Sequence, residues 1–190
     1  MRADAARRRQ SIIKHARHVF AERGGDVALE AVAAASGVGI ATLYRNFPSR
    51  QDLIRAVIDD SVQRILAAVS TAREAAGDDP AAAWEQLLSD LMDLELGALT
   101  DNLGAQTQPG LSGPSSLAEL QQPALDAVDE LIRGLQTSST VREGITALDV
   151  VVAVATITRP QAGRIHEAAP DVQAQLAEAY LLWSRGNPPK

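Results

Sequence analysis

The chain has 190 residues, 46% of them hydrophobic, which is enough for one large or two small domains with a buried core. It contains no cysteine, so disulfides, thiolate metal sites and a cysteine nucleophile are excluded. An aromatic content of 3% argues against single-strand recognition by base stacking, and no apolar run approaches the ~20 residues of a membrane span.

The sequence pattern of residues 7–47 predicts three helices, one of moderate length and two short ones. Residues 7–23 repeat apolar side chains at helical spacing, and Gly24 and Gly25 end that helix. Two shorter helices flank the turn Gly37-Val38-Gly39, where we expect the glycines to allow a positive φ. The side chains predicted to face the core are Ile12, Ile13, Ala16, Val19, Phe20, Leu29, Val32, Ala33, Ile40, Leu43 and Phe47.

A long fourth helix follows Pro48. It begins at the capping box Ser49-Arg50-Gln51-Asp52, continues its apolar stripe to Val69, and is broken by Gly77-Asp78-Asp79-Pro80. Asp79 and Pro80 suit the cap and first position of a fifth helix. The fifth helix carries Trp84, Leu87, Leu88, Leu91, Met92, Glu95 and Leu99 at helical spacing. Residues 104–116 predict a loop.

The C-terminal part predicts further helices. A capping box at Ser116 opens one that Pro123 restarts or kinks. The apolar run 150–154 reads either as a buried strand or as a buried helix ending at Arg159-Pro160. We favour the helix because Thr146-Ala147-Leu148-Asp149 is a third capping box and no partner strand appears. A last helix opens at Pro170 and is closed by Gly186 and Pro188.

These elements predict an all-α fold with an N-terminal three-helix domain over residues 1–48 and a C-terminal helical bundle over residues 49–190. The charge supports this division. Residues 1–55 hold ten Lys or Arg against five Asp or Glu, although the whole chain has a net charge of −6. A basic N-terminal unit that meets a polyanion is one interpretation, and a solvated basic helix face is the other.

Residues 29–47 have the pattern of a helix-turn-helix, whose second helix can lie in the major groove of duplex DNA. Small side chains there would let the backbone approach a base, Tyr44 can donate to a phosphate, and Arg45 can contact either a guanine edge or a phosphate. The outward residues of this helix are Ala41, Thr42, Tyr44, Arg45 and Asn46.

Other arginines extend the predicted DNA contacts. Arg50 lies at the start of the fourth helix, where helix amides also attract phosphate. Arg7, Arg8 and Arg9 either form an arm over the DNA backbone or minor groove or remain a solvated tail.

The sequence Val32-Ala-Ala-Ala-Ser-Gly-Val-Gly-Ile-Ala-Thr-Leu-Tyr-Arg-Asn-Phe47, followed by Arg50 and Leu53, resembles the DNA-binding signature of tetracycline-repressor-like (TetR family) regulators. Phe20-Ala-Glu-Arg-Gly24 fits it too. The resemblance covers the N-terminal third of the chain and implies a cytoplasmic, ligand-responsive transcriptional regulator. We expect a repressor that a small-molecule inducer releases from its operator.

Two positions depart from the family pattern. The family usually has Ser or Thr at the position of Gly39 and often at that of Ala28. Glycine offers no hydroxyl to a phosphate, and alanine is a poor cap. Asp26 is an alternative cap for the second helix, one turn earlier. These departures leave open a second hypothesis, a helical sensor that has lost DNA recognition.

The resemblance also implies a homodimer built from the last two helices and an inducer site inside the bundle. Our dimer candidates are Leu176, Tyr180 and Trp183, and our ligand candidates are Trp84, Leu88, Met92 and Thr156. In both sets the alternative is ordinary packing within one subunit.

The sequence offers little for catalysis or metal binding. His15 and His18 have a spacing that suits a metal, but no third ligand is evident. The adjacent carboxylates Asp59-Asp60 point apart on a helix, and no nucleophile elbow or phosphate-binding glycine loop occurs. We therefore expect neither an enzyme nor a bound metal or cofactor.

Overall fold

The computed structural model describes residues 2–24, 26–94, 117–159, 161 and 167–186, and it confirms the all-α prediction. The helices in chain order are α1 (Arg2–Arg23), α2 (Leu29–Ala35), α3 (Ile40–Asn46), α4 (Arg50–Ala75), α5 (Pro80–Met92), α6 (Leu117–Thr137), α7 (Ala147–Ile157) and α8 (Val172–Ser184). The predicted loop over 104–116, with the capping box at Ser116, lies outside the described residues. So do Gly25, Glu95, Leu99, Pro160 and Pro188.

The chain forms two compact units whose boundary falls inside α4. Described residues up to Ser61 belong to the first unit, and those from Val62 onward on this helix belong to the second. The boundary predicted from the sequence, between residues 48 and 49, instead precedes the helix.

The core of the first unit consists of the predicted apolar stripes of α1–α3 and the first half of α4. Ile12, Phe20 and Leu43 are fully enclosed. Ile40, predicted to face inward, is only half-buried because it is the first residue of α3. The other buried apolar residues here are Ile13, Ala16, Val19, Ala21, Leu29, Val32, Ala33, Phe47, Leu53, Ile54, Ala56, Val57 and Ile58.

Of the two glycines in the turn between α2 and α3, only Gly37 has a backbone conformation that favours glycine. Gly37 has a φ of +66°, as predicted, a conformation that other residues adopt at a cost. The same prediction is wrong for Gly39, whose φ is −73° and which lies in extended backbone at the N-cap of α3. A Cβ on Gly39 would meet nothing within 4 Å.

The start of α4 confirms the first capping box. The Ser49 hydroxyl accepts the Asp52 amide over 3.1 Å, and the Asp52 carboxylate accepts the Ser49 amide over 3.0 Å. Two otherwise unpaired amides are thereby satisfied.

The second unit is built around a core from α4–α7. Trp84 is fully buried, and its indole N–H donates to the Ser184 hydroxyl of α8 over 2.9 Å. Asp79 caps α5 as predicted, since its carboxylate accepts the Ala82 amide over 3.0 Å. Pro123 lies inside α6 without ending it.

The helix predicted around Val150 is confirmed, with its capping box between Thr146 and Asp149. The two hydrogen bonds from Thr146 hold the pKa of the Asp149 carboxyl below its usual value. The prediction of a buried helix is wrong in extent. Leu148 is 62% exposed and Val152 is 54% exposed, because α7 packs by one face only.

The C-terminal end of α8 is fastened to the loop between α6 and α7. The Arg142 amide donates to the Ser184 carbonyl over 2.9 Å, and the Gly186 amide donates to the Thr140 carbonyl over 2.8 Å. A Cβ on Gly186 would lie 1.9 Å from the Ser139 carbonyl oxygen, so this close approach requires glycine. None of the described helices has the length and apolarity of a membrane span.

Candidate nucleic-acid interface

The outer face of α3 presents most of the predicted DNA-contacting side chains to solvent. Ala41, Tyr44 and Arg45 are exposed, whereas Thr42 and Asn46 are half-buried. The opposite face of the helix is anchored in the core by Leu43, which is fully buried. This anchoring holds the outer face in one orientation.

Two of these side chains fold back on α3 itself. The Arg45 Nε donates to the Ala41 carbonyl over 3.2 Å, and the Asn46 amide donates to the Thr42 carbonyl over 2.8 Å. The Arg45 bond engages Nε, whereas the two terminal nitrogens of the same guanidinium carry most of its donors. Arg45 therefore suits either a guanine edge or a phosphate.

The arginines predicted to form an arm are part of α1. Arg7, Arg8 and Arg9 lie within this helix and are exposed. Arg7 pairs with Asp4 over 2.5 Å, and the Arg9 guanidinium carbon lies 4.7 Å from the centroid of the Phe47 ring. Arg9 is thus placed beside the end of α3.

Arg50 has a contact within the protein. Its guanidinium donates to the Val27 carbonyl over 2.8 Å and is half-buried. This bond ties the start of α4 to the segment between α1 and α2. The structure therefore gives Arg50 a structural contact in addition to the phosphate contact predicted for it.

The two departures from the family pattern are both N-caps. Ala28 caps α2 and Gly39 caps α3, and neither helix has a side-chain cap bond. Neither N-cap residue therefore supplies a side-chain acceptor to the first amides of its helix.

This unit also holds a buried ion pair that was not predicted from the sequence. Arg17 donates to the Asp60 carboxylate over 3.0 Å, and the two side chains are 9% and 11% exposed. A signal was present, because Arg17 lies four residues after Ile13 and three before Phe20, inside the apolar stripe of α1. Its partner is 43 residues away in sequence, which periodicity cannot identify.

The two histidines of α1 have separate partners. His15 Nδ1 donates to the Ser11 carbonyl over 2.7 Å, and His18 lies 3.2 Å from the Glu22 carboxylate. No group of three metal-ligating side chains occurs within the part of the chain that is described.

The predicted ligand-contacting residues differ in their exposure. Trp84 and Leu88 are buried in the core of the second unit, and Met92 packs against it half-buried. Thr156 is exposed instead, four residues after Val152 on the outer stripe of α7, where its hydroxyl donates to the Val152 carbonyl. The grouping of Thr156 with the other three as a ligand site stays a prediction.

The predicted dimer residues lie on a partly exposed apolar face. Leu176 is 47% exposed, Trp183 is 50% exposed, and the ring of Tyr180 lies 5.7 Å from that of Trp183. The α7 residues Leu148 and Val152 are exposed apolar residues as well, and Val152 belongs to the run 150–154 that was predicted to be buried.

Tyr180 is the half-buried member of this set. Its hydroxyl oxygen is buried and has no hydrogen-bond partner among the described residues. Burial raises the pKa of Tyr180 to about 12, with a smaller contribution from the charge of Asp149. Tyr180 is thus neutral at physiological pH.

Comparison with known proteins gives a consistent result. Residues 12–57 match the family model of the bacterial regulatory proteins of the tetR family. No curated protein matches the chain. A TetR transcriptional regulator of Streptomyces coelicolor is 30% identical, with a TM-score of 0.65 over 95% of this chain and 99% of that one.

Two mycobacterial structures are also similar. The TetR transcription regulatory protein of Mycobacterium vanbaalenii is 25% identical, with a TM-score of 0.58 over 94% of this chain and 97% of that one. The TetR-like regulator LfrR of Mycobacterium smegmatis, solved in complex with proflavine, is 26% identical, with a TM-score of 0.62 over 93% of each chain. With its helix-turn-helix and a regulator of 30% identity matched over nearly the full length, the chain belongs to the TetR family of transcriptional regulators, which are DNA-binding proteins and not enzymes.

Proposed function

We propose that this TetR-family regulator is a homodimeric repressor that releases its operator when a small molecule binds within the second unit. The observation that carries the operator-binding part is the outer face of α3. It exposes Tyr44 and Arg45 while Leu43 holds the helix in the core. Such a helix is suited to the major groove.

The contacts follow from the chemistry of each side chain. Ala41 is small enough for close approach to a base or a thymine methyl group. The Tyr44 hydroxyl donates to a phosphate, and Arg45 contacts a guanine edge or a phosphate. Arg7 and Arg8, exposed on α1, add phosphate contacts beside them, while the acidic remainder of the chain is repelled by DNA. The protein acts at the nucleoid in the cytoplasm, where operators lie.

The homodimer is supported by the surface of α7 and α8. These helices expose Leu148, Val152, Leu176 and Trp183. Their charged residues are Asp149 and Glu178, and Asp149 is engaged in a cap. An apolar face with so little charge suits burial against a second copy. Two copies of α3 would then contact half-sites about 34–36 Å apart.

The ligand site is supported by the composition of the second unit. Trp84, Leu88 and Met92 lie on one side of α5, at the apolar core of the second unit. Ligand sites in proteins are mostly apolar and contain few polar groups. The similar LfrR has been crystallised with proflavine. We place the small-molecule site of this chain beside α5.

A band-shift with the DNA upstream of this gene tests the operator contacts. Arg45→Ala should weaken binding by ~1–3 kcal/mol. Relaxed sequence preference would identify a base contact, and a smaller salt slope would identify a phosphate contact. Tyr44→Phe, which removes one hydroxyl, should weaken binding by a smaller amount.

Arg133→Ala is the matched control. Arg133 is also exposed on a helix, and its Nε donates to the Asp129 carbonyl over 3.2 Å, as that of Arg45 does to Ala41. The control loses the same charge and the same type of bond, so its operator binding should equal that of the wild type. If neither Arg45→Ala nor Tyr44→Phe differs from this control, the assignment of α3 as the DNA-contacting helix is wrong.

A further inference from the structure

A buried ion pair lies near the end of the first unit. The Arg17 guanidinium donates to one carboxylate oxygen of Asp60 over 3.0 Å, and the other oxygen accepts the Gln10 amide. Asp60 directly precedes Ser61, where the first unit ends inside α4. The pair therefore joins α1 to α4 close to the point at which α4 continues into the second unit.

A pair in this setting contributes more to the arrangement of the helices than to stability. Removing two charges from water costs about as much as their attraction returns, so apolar replacements of similar shape are often neutral or stabilising. A directional ion pair can instead specify one arrangement of the helices that carry it. Here Gln10, also on α1, donates to the second carboxylate oxygen of Asp60, so two hydrogen bonds fix the position of α1 on this side chain.

The helix α1 also contacts α3, the helix proposed to contact DNA. Arg9 lies eight residues before Arg17, about 12 Å along the helix axis, and its guanidinium carbon is 4.7 Å from the Phe47 ring centroid. Phe47 is the C-cap of α3 and is 1% exposed. One helix thus contacts α4 through Arg17 and the end of α3 through Arg9.

We propose that Arg17 and Asp60 are positioning residues for operator binding. The pair sets the rotation and register of α1 on α4, and α1, through Arg9 and Phe47, holds the outer face of α3 in the orientation that the operator needs. Both side chains are buried and do not touch DNA. This inference rests on the operator binding proposed above.

The test replaces both charges at once, as Arg17→Met with Asp60→Leu. Leucine has the branching of aspartate, methionine has an unbranched stem, and the net charge is unchanged. We expect a thermal midpoint equal to or above that of the wild type, while the operator Kd rises about tenfold, or about 1.4 kcal/mol. The slope of log Kd against log salt should be unchanged, since no phosphate contact is lost. Circular dichroism and fluorescence anisotropy measure the two quantities.

The exposed pair Arg73–Glu130 provides the control. These residues lie 2.9 Å apart in the second unit, with side chains 52% and 67% exposed. Arg73→Met with Glu130→Leu removes the same charges and should leave the operator Kd unchanged.

Four results separate the possibilities. An unchanged Kd in the Arg17/Asp60 double variant would overturn the inference. A weaker Kd together with a lower thermal midpoint would also overturn it, because the pair would then only maintain the fold. A smaller salt slope would identify Arg17 as a phosphate contact and would contradict a positioning role. If the wild type itself fails to bind the operator, the proposed function fails, and this inference fails with it.

Discussion

Gly39 occupies a position where the backbone does not require glycine. Its φ of −73° and ψ of 150° suit any residue, and the space around its α-carbon is open. A serine there would supply both an N-cap for α3 and a hydroxyl for a phosphate. Gly37, two residues earlier, differs because its φ of +66° favours glycine.

This difference makes Gly39→Ser and Gly37→Ser a matched pair. Gly39→Ser should raise the unfolding free energy by a few tenths of a kcal/mol and tighten operator binding. Gly37→Ser should lower the unfolding free energy by ~1–2 kcal/mol because the backbone is left-handed there. Urea denaturation and fluorescence anisotropy measure these effects. Equal stability changes in the two variants would contradict the backbone assignment.

At the scale of elements, the helix boundaries set by local chemistry were predictable. The capping boxes at Ser49 and Thr146 and the cap at Asp79 were identified correctly, because each depends on residues three apart along the chain. The exposure of α7 was not predictable, since the run 150–154 is apolar on every side and only its packing shows which face is left uncovered. The Arg17–Asp60 pair escaped prediction for a related reason, as it joins distant segments.

The uncovered face of α7 leads to a prediction about assembly. Val152→Glu places a charge at an exposed position, so the fold of one subunit should be retained. Burying that charge against a second copy would be costly, so the dimer should dissociate and operator affinity should fall. Analytical ultracentrifugation measures the assembly state.

Ala67→Glu, at an exposed position of α4, is the control and should remain dimeric. A Val152→Glu variant that sediments as a dimer would exclude this part of α7 from the interface.

At the scale of the whole molecule, the distribution of charge follows the division of the chain into two units. The basic residues concentrate in the segment that forms the first unit, and the acidic excess lies in the remainder. The family and the helix-turn-helix could be predicted from the sequence, because the motif is local. The exposure of Thr156 could not, since it depends on which face of α7 packs against the core.

The most direct test of the account is the salt dependence of operator binding by the wild-type protein. A dimer whose two α3 helices and flanking arginines make several phosphate contacts should lose affinity steeply, by about a thousandfold or more between 50 and 200 mM salt for six or more contacts. Log Kd should be linear in log salt. Weak binding with little dependence on salt would contradict the account and would favour a helical sensor that no longer recognises DNA.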